Sequence, residues 1–216
     1  MKAIEIKQVT KRFGNRKVID GFSLSIDQGA FVAIVGQSGC GKSTLLNMMG
    51  LLETIEEGEI KIYGQPLPNI HSMAATRIRR KTINYLFQSY ALISNLSVKE
   101  NLMIALEYVK LNRYEKYKKI EHVLRRLGIE DLAQNTINTL SGGEQQRVAV
   151  ARTILKPGDI ILADEPTGSL DPQLAHTAFQ LIQELRDQHG KTVVLVTHNM
   201  EQAQQADRVI NLSALN

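Results

Sequence analysis

The stretch GQSGCGKST, residues 36–44, constrains this chain more than any other part of it. It sits between FVAIV (31–35), an unbroken apolar run, and TLLNMMG (44–50), a helix-forming one. That order predicts a buried strand, a tight turn and a helix that starts near Lys42. Gly36, Gly39 and Gly41 let successive backbone N–H groups turn inward together, which makes a cradle for phosphate oxygens. The positive N-terminal end of the helix adds to the attraction. Lys42 has the reach to touch β- and γ-phosphates, and the Ser43 hydroxyl is a ligand for Mg²⁺. Ser38, Cys40 and Thr44 complete the predicted nucleotide-binding loop, with Cys40 expected as a small filler rather than a reactive thiol.

The pattern around this unit sets the fold class. IEIKQV (4–9), FSLSI (22–26) and EIKIYG (59–64) are β-branched runs broken by Gly, Asp and Asn, which predicts an antiparallel β portion at the N-terminus. Residues 98–155 carry apolar positions at three- and four-residue spacing and read as helices. The last third alternates DIILA (159–163), a helix, TVVLVT (192–197), a helix over MEQAQQA, and a short strand DRVINL. Wholly apolar strands alternating with helices indicate a mostly parallel sheet covered on both faces. The expectation is an α/β phosphate-loop core built from residues 1–90 and 156–216 of a single domain. A helical subdomain at about 91–155 is inserted into it.

Composition closes off other classes. The single cysteine, Cys40, excludes an intrachain disulfide and any multi-cysteine metal site. There is no Trp, and aromatics make up 5% of the chain, which argues against a stacking platform for single-stranded nucleic acid. The 26 Lys plus Arg against 22 Asp plus Glu leave a net charge of only +4, which demands no nucleic-acid partner. No apolar run approaches the ~18 residues of a membrane span. MKAIEIKQV alternates apolar and polar residues instead of offering a signal-peptide core. A cytosolic chain that reaches a membrane through a partner is expected. The most basic stretch, Lys110 to Arg126, holds seven Lys or Arg and two Glu and is expected to be a solvated helix face, with contact to anionic lipid or a membrane partner as the alternative; Arg77 to Lys81 is expected to be a solvated face too.

Two further motifs carry chemistry. IILADEPTGSLD (160–171) is a buried strand that delivers Asp164 and Glu165 at its C-terminal end, where parallel sheets place their ligands. The two carboxylates point in different directions and divide the labour: Asp164 for the Mg²⁺ shell, Glu165 to orient and deprotonate an attacking water. With the phosphate loop, this reads as a nucleoside triphosphatase. LSGGEQQR (140–147) then offers Ser141, Gly142 and Gly143, a hydroxyl and unhindered amides at a second helix N-terminus, hence a second anion site. One γ-phosphate hardly needs two such sites from one chain. Two copies facing each other, each supplying this loop to the other's nucleotide, explain the pair.

In order and wording these motifs resemble those of the ATP-binding subunits of ATP-binding-cassette (ABC) transporters. GQSGCGKST resembles the family's Walker A motif, LSGGEQQ its signature and ILADEP its Walker B. Ser169 to Asp171 resemble the D-loop between facing subunits, which implies that Asp171 lies near the nucleotide. Gln88 matches the glutamine loop, implying contact with Mg²⁺ and with the membrane subunit. His198 matches the switch histidine that contacts the γ-phosphate, and Phe13 the aromatic that stacks on adenine. The LADEPTGSLD wording is similar to the macrolide-export and lipoprotein-release branch and to the cell-division ATPase. After the switch histidine the family usually has Asp, where this chain has Asn199. The resemblance implies an ATPase using ATP and Mg²⁺, with Glu165, His198, Gln88 and Lys42 catalytic and Ser43, Gln88 and Asp164 around the metal. It implies a homodimer at the cytoplasmic face of the membrane, driving a transmembrane permease subunit that exports a peptide, drug or lipid-type substrate. The runner-up is a regulatory ATPase for a membrane complex that moves no solute.

Overall fold

The alternating N-terminal residues form a long hairpin, β1 (Lys2–Phe13) against β2 (Arg16–Asp27). The strands run well beyond the β-branched cores because Phe13 pairs with Arg16 across the two-residue turn Gly14–Asn15. Such a turn fits the twist of antiparallel strands when its residues accept positive φ, as Gly14 does at 57°. β3 (Phe31–Val35), α1 (Lys42–Met49), β4 (Glu57–Ile62), β5 (Gln65–Pro66), α2 (Met73–Lys81) and β6 (Ile83–Leu86) follow. Next come α3 (Val98–Ala105), α4 (Arg113–Arg126), α5 (Gly142–Leu155), β7 (Ile160–Asp164), α6 (Pro172–His189), β8 (Thr192–Val196), α7 (Met200–Ala203) and β9 (Arg208–Asn211). This computed structural model describes residues 1–87, 89–168 and 170–214.

The chain divides into two compact units. The first comprises Met1–Tyr85, Gly158–Asp164 and Arg186–Asn216. It holds an antiparallel sheet in the order β2-β1-β4-β5 and a second sheet in the order β6-β7-β8-β3-β9. In the latter, β7, β8, β3 and β9 run parallel, each to its neighbour. The wholly buried strands follow from cover on both sides. Val32, Ile34, Ile160, Leu162, Val194 and Val196 share one apolar cluster with Leu45, Leu46, Met48 and Met49 of α1 and with Ile4, Ile6 and Ile60 of the antiparallel sheet. On the opposite face Ala33 and Val35 meet Ala203 of α7. Each large side chain so buried contributes about 1.5–3 kcal/mol before the entropy of ordering it is counted, and α1 anchors itself with four of them.

The second unit comprises Leu86–Pro157 and Glu165–Leu185. Its α3, α4 and α5 pack on one another, and Ser97, Asn112 and Ser141 begin them, each in a capping box with the glutamate three residues on.

Two expected elements are shorter than their periodicity, and two short ones carried no signal. α3 stops at Ala105 although the apolar pattern continues to Val109. α7 stops at Ala203 because the chain must enter the sheet: Asp207 donates its amide to Phe31 O and accepts the Phe31 amide on Oδ2, both at 2.8 Å. β6 and α2 carry no sequence signal because INYL and MAATRIRRK are too short and too polar to show a period.

Candidate functional site

Within the first unit, the parallel strands bring three chemistry-bearing ends to one sheet edge. β3 leads into the loop 36–41, β7 ends on Asp164, and β8 is followed by Thr197 and His198. Because β7, β8 and β3 are neighbours running the same way, their C-terminal ends lie side by side. Asp164 is buried, while His198 is exposed.

The loop's curl is fixed by the residues that compose it. Gly36 has φ +152° and Gly41, at the N-cap of α1, φ +99°. A β-carbon at Gly41 would lie 2.8 Å from side-chain atoms of both Val18 and Ile19, and one at Gly36 would lie 2.8 Å from Cys40 Sγ and from Ser213 Oγ. Only glycine fits either position. Lys42 Nζ donates to the carbonyls of Gly36 and Gln37, both at 2.9 Å, and so lies back across the loop it follows. Two braces come from distant sequence: Ser213 Oγ accepts the Gln37 amide at 2.8 Å, and Arg16 donates to Gly39 O at 3.2 Å. Neither had a sequence signal, since both are single polar residues far along the chain. Cys40 packs against the apolar cluster, as a filler would. Ser38 and Ser43 are exposed, and Thr44 is half-buried.

No side chain caps α1, whereas Ser72, Ser97, Asn112, Ser141 and Asn199 cap α2, α3, α4, α5 and α7. A helix start with its first amides left to an outside acceptor is an anion site. Here it is joined to a loop whose glycines keep β-carbons away. Behind α1, Tyr85 on β6 donates its hydroxyl to Asn47 Oδ1 at 2.6 Å. Burial, reinforced by the charge of Asp164, pushes that phenol well above its ordinary range and keeps it a neutral donor. Ser43 and Asp164 offer the hard oxygen donors that Mg²⁺ takes, one hydroxyl and one carboxylate. That sparse set fits an ion that keeps its waters and shares substrate phosphates. Among the described residues no three His, Cys, Asp or Glu side chains gather as a metal cage.

Phe13 ends β1 with half its surface exposed, and Lys11 Nζ lies 5.2 Å from its ring centre. Asn199, the departure from the family's aspartate, accepts the amides of Glu201 and Gln202 and starts α7. Asn and Asp are equivalent N-caps, so the exchange keeps the turn after His198.

Within the second unit, Glu165 directly follows the strand-end aspartate and holds φ +49°, a left-handed conformation rare outside glycine. Its carbonyl accepts Gln146 Nε2 and the Gly168 amide, both at 3.3 Å, which secures the strained residue. Gln146 is buried on α5, so the helix opened by LSGGEQQR also holds the backbone of Glu165. This link was not legible in the sequence.

Ser141, Gly142 and Gly143 form the N-cap and first residues of α5. Ser141 and Glu144 form a capping box: Glu144 Oε2 accepts the Ser141 amide at 2.7 Å and its hydroxyl at 2.8 Å. Those bonds hold the Glu144 carboxyl below its ordinary range. The Ser141 hydroxyl therefore already has a partner. Asp171 Oδ1 accepts the amides of Gln173 and Leu174, both at 3.1 Å, at the start of α6. Gln88 and Ser169 lie outside the described residues.

Residues 19–168 match the model of the ABC transporter family. The chain is 39% identical over 216 residues, 98% of its length, to the macrolide export ATP-binding/permease protein MacB of Aggregatibacter actinomycetemcomitans. It is 40% identical over 213 residues to MacB of Hyphomonas neptunium. In both cases it spans 33% of the relative's length. Among solved structures it resembles the dimeric post-hydrolysis state of the ATP-binding cassette MJ0796 bound to ADP and Pi, with TM-score 0.89 and 34% identity over 97% of this chain and 95% of that one. The cbiO1 subunit of the Clostridium perfringens cbiONQ transporter complex follows at TM-score 0.80 and 26% identity, over 98% of this chain and 86% of that one.

Proposed function

Because the chain belongs to the ABC transporter family, we propose that it is the ATP-binding and ATP-hydrolysing subunit of a transporter. Two copies enclose two ATP molecules, and their closing and opening drives a transmembrane permease subunit from the cytoplasmic face. What carries this reading is the start of α1: a helix without a side-chain cap, behind a loop that admits only glycine at Gly36 and Gly41.

Each residue then has a task. The amides of Ser38 to Ser43 and the Lys42 ammonium hold the phosphates, and Lys42 exchanges its two loop carbonyls for phosphate oxygens. Ser43, Asp164 and Gln88 would hold Mg²⁺, which when bound would supply positive charge against the phosphates. Glu165 accepts a proton from the attacking water, and its strained backbone aims the side chain. His198 and Gln88 complete the γ-phosphate surroundings, and Phe13 stacks on the base. Ser141, Gly142 and Gly143 of one copy meet the nucleotide held by the other, with Asp171 at the seam. The name of the curated relatives, macrolide export proteins, supports export of a drug, peptide or lipid-type molecule, and the dimeric cassette supports a homodimer.

The test is the mass of the Glu165→Gln protein by light scattering on a sizing column, with and without Mg²⁺ and ATP. A shift from monomer to dimer only with nucleotide is expected. A nucleotide-bound monomer, alone and again beside the permease, would overturn the sandwich.

A further inference from the structure

Half of the chain's six tyrosines, Tyr108, Tyr114 and Tyr117, lie within ten residues, on and just before α4. Five cations lie among them and just after: Lys110, Arg113, Lys116, Lys118 and Lys119. Among the described residues no carboxylate lies within ion-pairing distance of any of them. The other end of the same helix is different, because Arg125 pairs with Glu121 and Arg126 with Glu184. Two of the nearby acids are also occupied elsewhere, while Glu107, next to Tyr108, is exposed. Glu115 accepts the Asn112 amide in its capping box, and Glu100 accepts from Ser97 in its own. A sequence count of seven cations and two glutamates therefore understates the imbalance at the start of α4.

The tyrosines are not core. Tyr114 is 67% exposed and Tyr108 57%, while α4 is anchored by Ile120, Val123 and Leu124 instead. Lys118 Nζ lies 5.4 Å from the Tyr114 ring centre, one turn apart on the helix. Tyr117 has Lys99 Nζ at 3.9 Å from its ring centre and accepts from Arg113 Nε at 2.7 Å. A merely solvated face needs charge but has no use for large amphipathic rings set among it. Rings with an apolar body and a polar tip, interleaved with lysines of long apolar stem, suit the boundary between lipid headgroups and acyl chains. Unpaired lysines near such a boundary are drawn to anionic lipid.

We propose that the segment Tyr108–Lys119 is a contact surface for the anionic phospholipid headgroups of a membrane. It rests on the functional reading above only in placing the chain beside a bilayer, and it adds a lipid contact that is separate from the permease. The segment is absent from the catalytic machinery, so its loss leaves ATP turnover in solution unchanged.

The experiment sediments the full chain with vesicles of phosphatidylcholine alone and of equimolar phosphatidylcholine and phosphatidylglycerol, at low and at high salt. The chain is expected to pellet with the anionic vesicles at low salt only. A variant with Lys116→Gln, Lys118→Gln and Lys119→Gln is expected to bind them on the order of tenfold or more weakly, and Tyr114→Ser to weaken binding without changing its salt dependence. Equal association with both vesicle types, or wild-type association by the triple variant, would overturn the proposal. So would lysine-dependent binding of an RNA oligonucleotide tighter than that of the vesicles. ATP turnover and ATP-driven dimerisation of the same preparations are read separately. A failure there counts against the ATPase reading, and a failure to pellet counts against the lipid contact.

Discussion

Glu165 shows how one residue's backbone serves its side chain. A left-handed glutamate costs of order 1–3 kcal/mol, and Gln146 and Gly168 hold it there by its carbonyl. If the side chain is the proton acceptor, Glu165→Gln keeps shape and backbone and removes basicity. Turnover is expected to fall by ~10²-fold or more while ATP binding persists, checked by phosphate release beside a nucleotide-binding titration. Near-normal hydrolysis would remove the assignment. At the far end of α1, Lys11, nearly buried, donates to Glu53 at 2.9 Å. That bond, with smaller help from Thr54, holds the Glu53 carboxyl below its ordinary value of 4.5. A carboxylate so depressed adds stability that is present above pH 4.5 and lost as pH falls through the folded-state value. Thermal melts of wild type and Glu53→Gln should therefore differ at neutral pH and converge as pH falls below 4.5 and through the folded-state value.

Among the elements, α1 links packing to chemistry most directly. Its first turn carries Lys42, Ser43 and Thr44, and its other side buries Leu45, Leu46, Met48 and Met49 between the two sheets of the first unit. Leu46 has no exposed surface, so Leu46→Ala deletes contacts on every side and leaves a cavity. A loss of about 2–5 kcal/mol is expected, read as a lower urea midpoint at unchanged slope. α5 shows a comparable economy. Its N-terminus presents Ser141, Gly142 and Gly143, its interior buries Val148, Ala149 and Val150, and its second turn lends Gln146 to Glu165. A capping box, a packing face and a backbone brace share one helix and its N-cap residue.

On the scale of the whole molecule, the proposed homodimer makes a claim that one chain alone cannot test. If each signature loop serves the other chain's nucleotide, Lys42→Ala and Ser141→Arg proteins are each inactive, but mixing them restores one complete site in every mixed dimer. With random pairing and independent sites, about a quarter of wild-type turnover is expected; no recovery would mean that each loop serves its own chain. The sequence by itself determined the phosphate loop, the strand-end carboxylates, the second glycine-rich helix start, the α/β class and the antiparallel β portion. Each of these is written in contiguous residues whose types and spacing have a local physical meaning. Tertiary structure alone decided the rest, because the partners lie far apart in the chain. Ser213 and Arg16 brace the loop, Tyr85 is set beside Asp164 and bonded to Asn47, and Asp207 cuts α7 short by pairing with Phe31. β6, too short and polar to announce itself, becomes a strand by lying beside β7. That five cations near Tyr114 have no carboxylate partner among the described residues emerged only once Glu115 proved to be held in a helix cap and Glu121 to be paired with Arg125. Sequence spacing records what neighbours along the chain can do, and only the folded chain shows which distant groups have already been used.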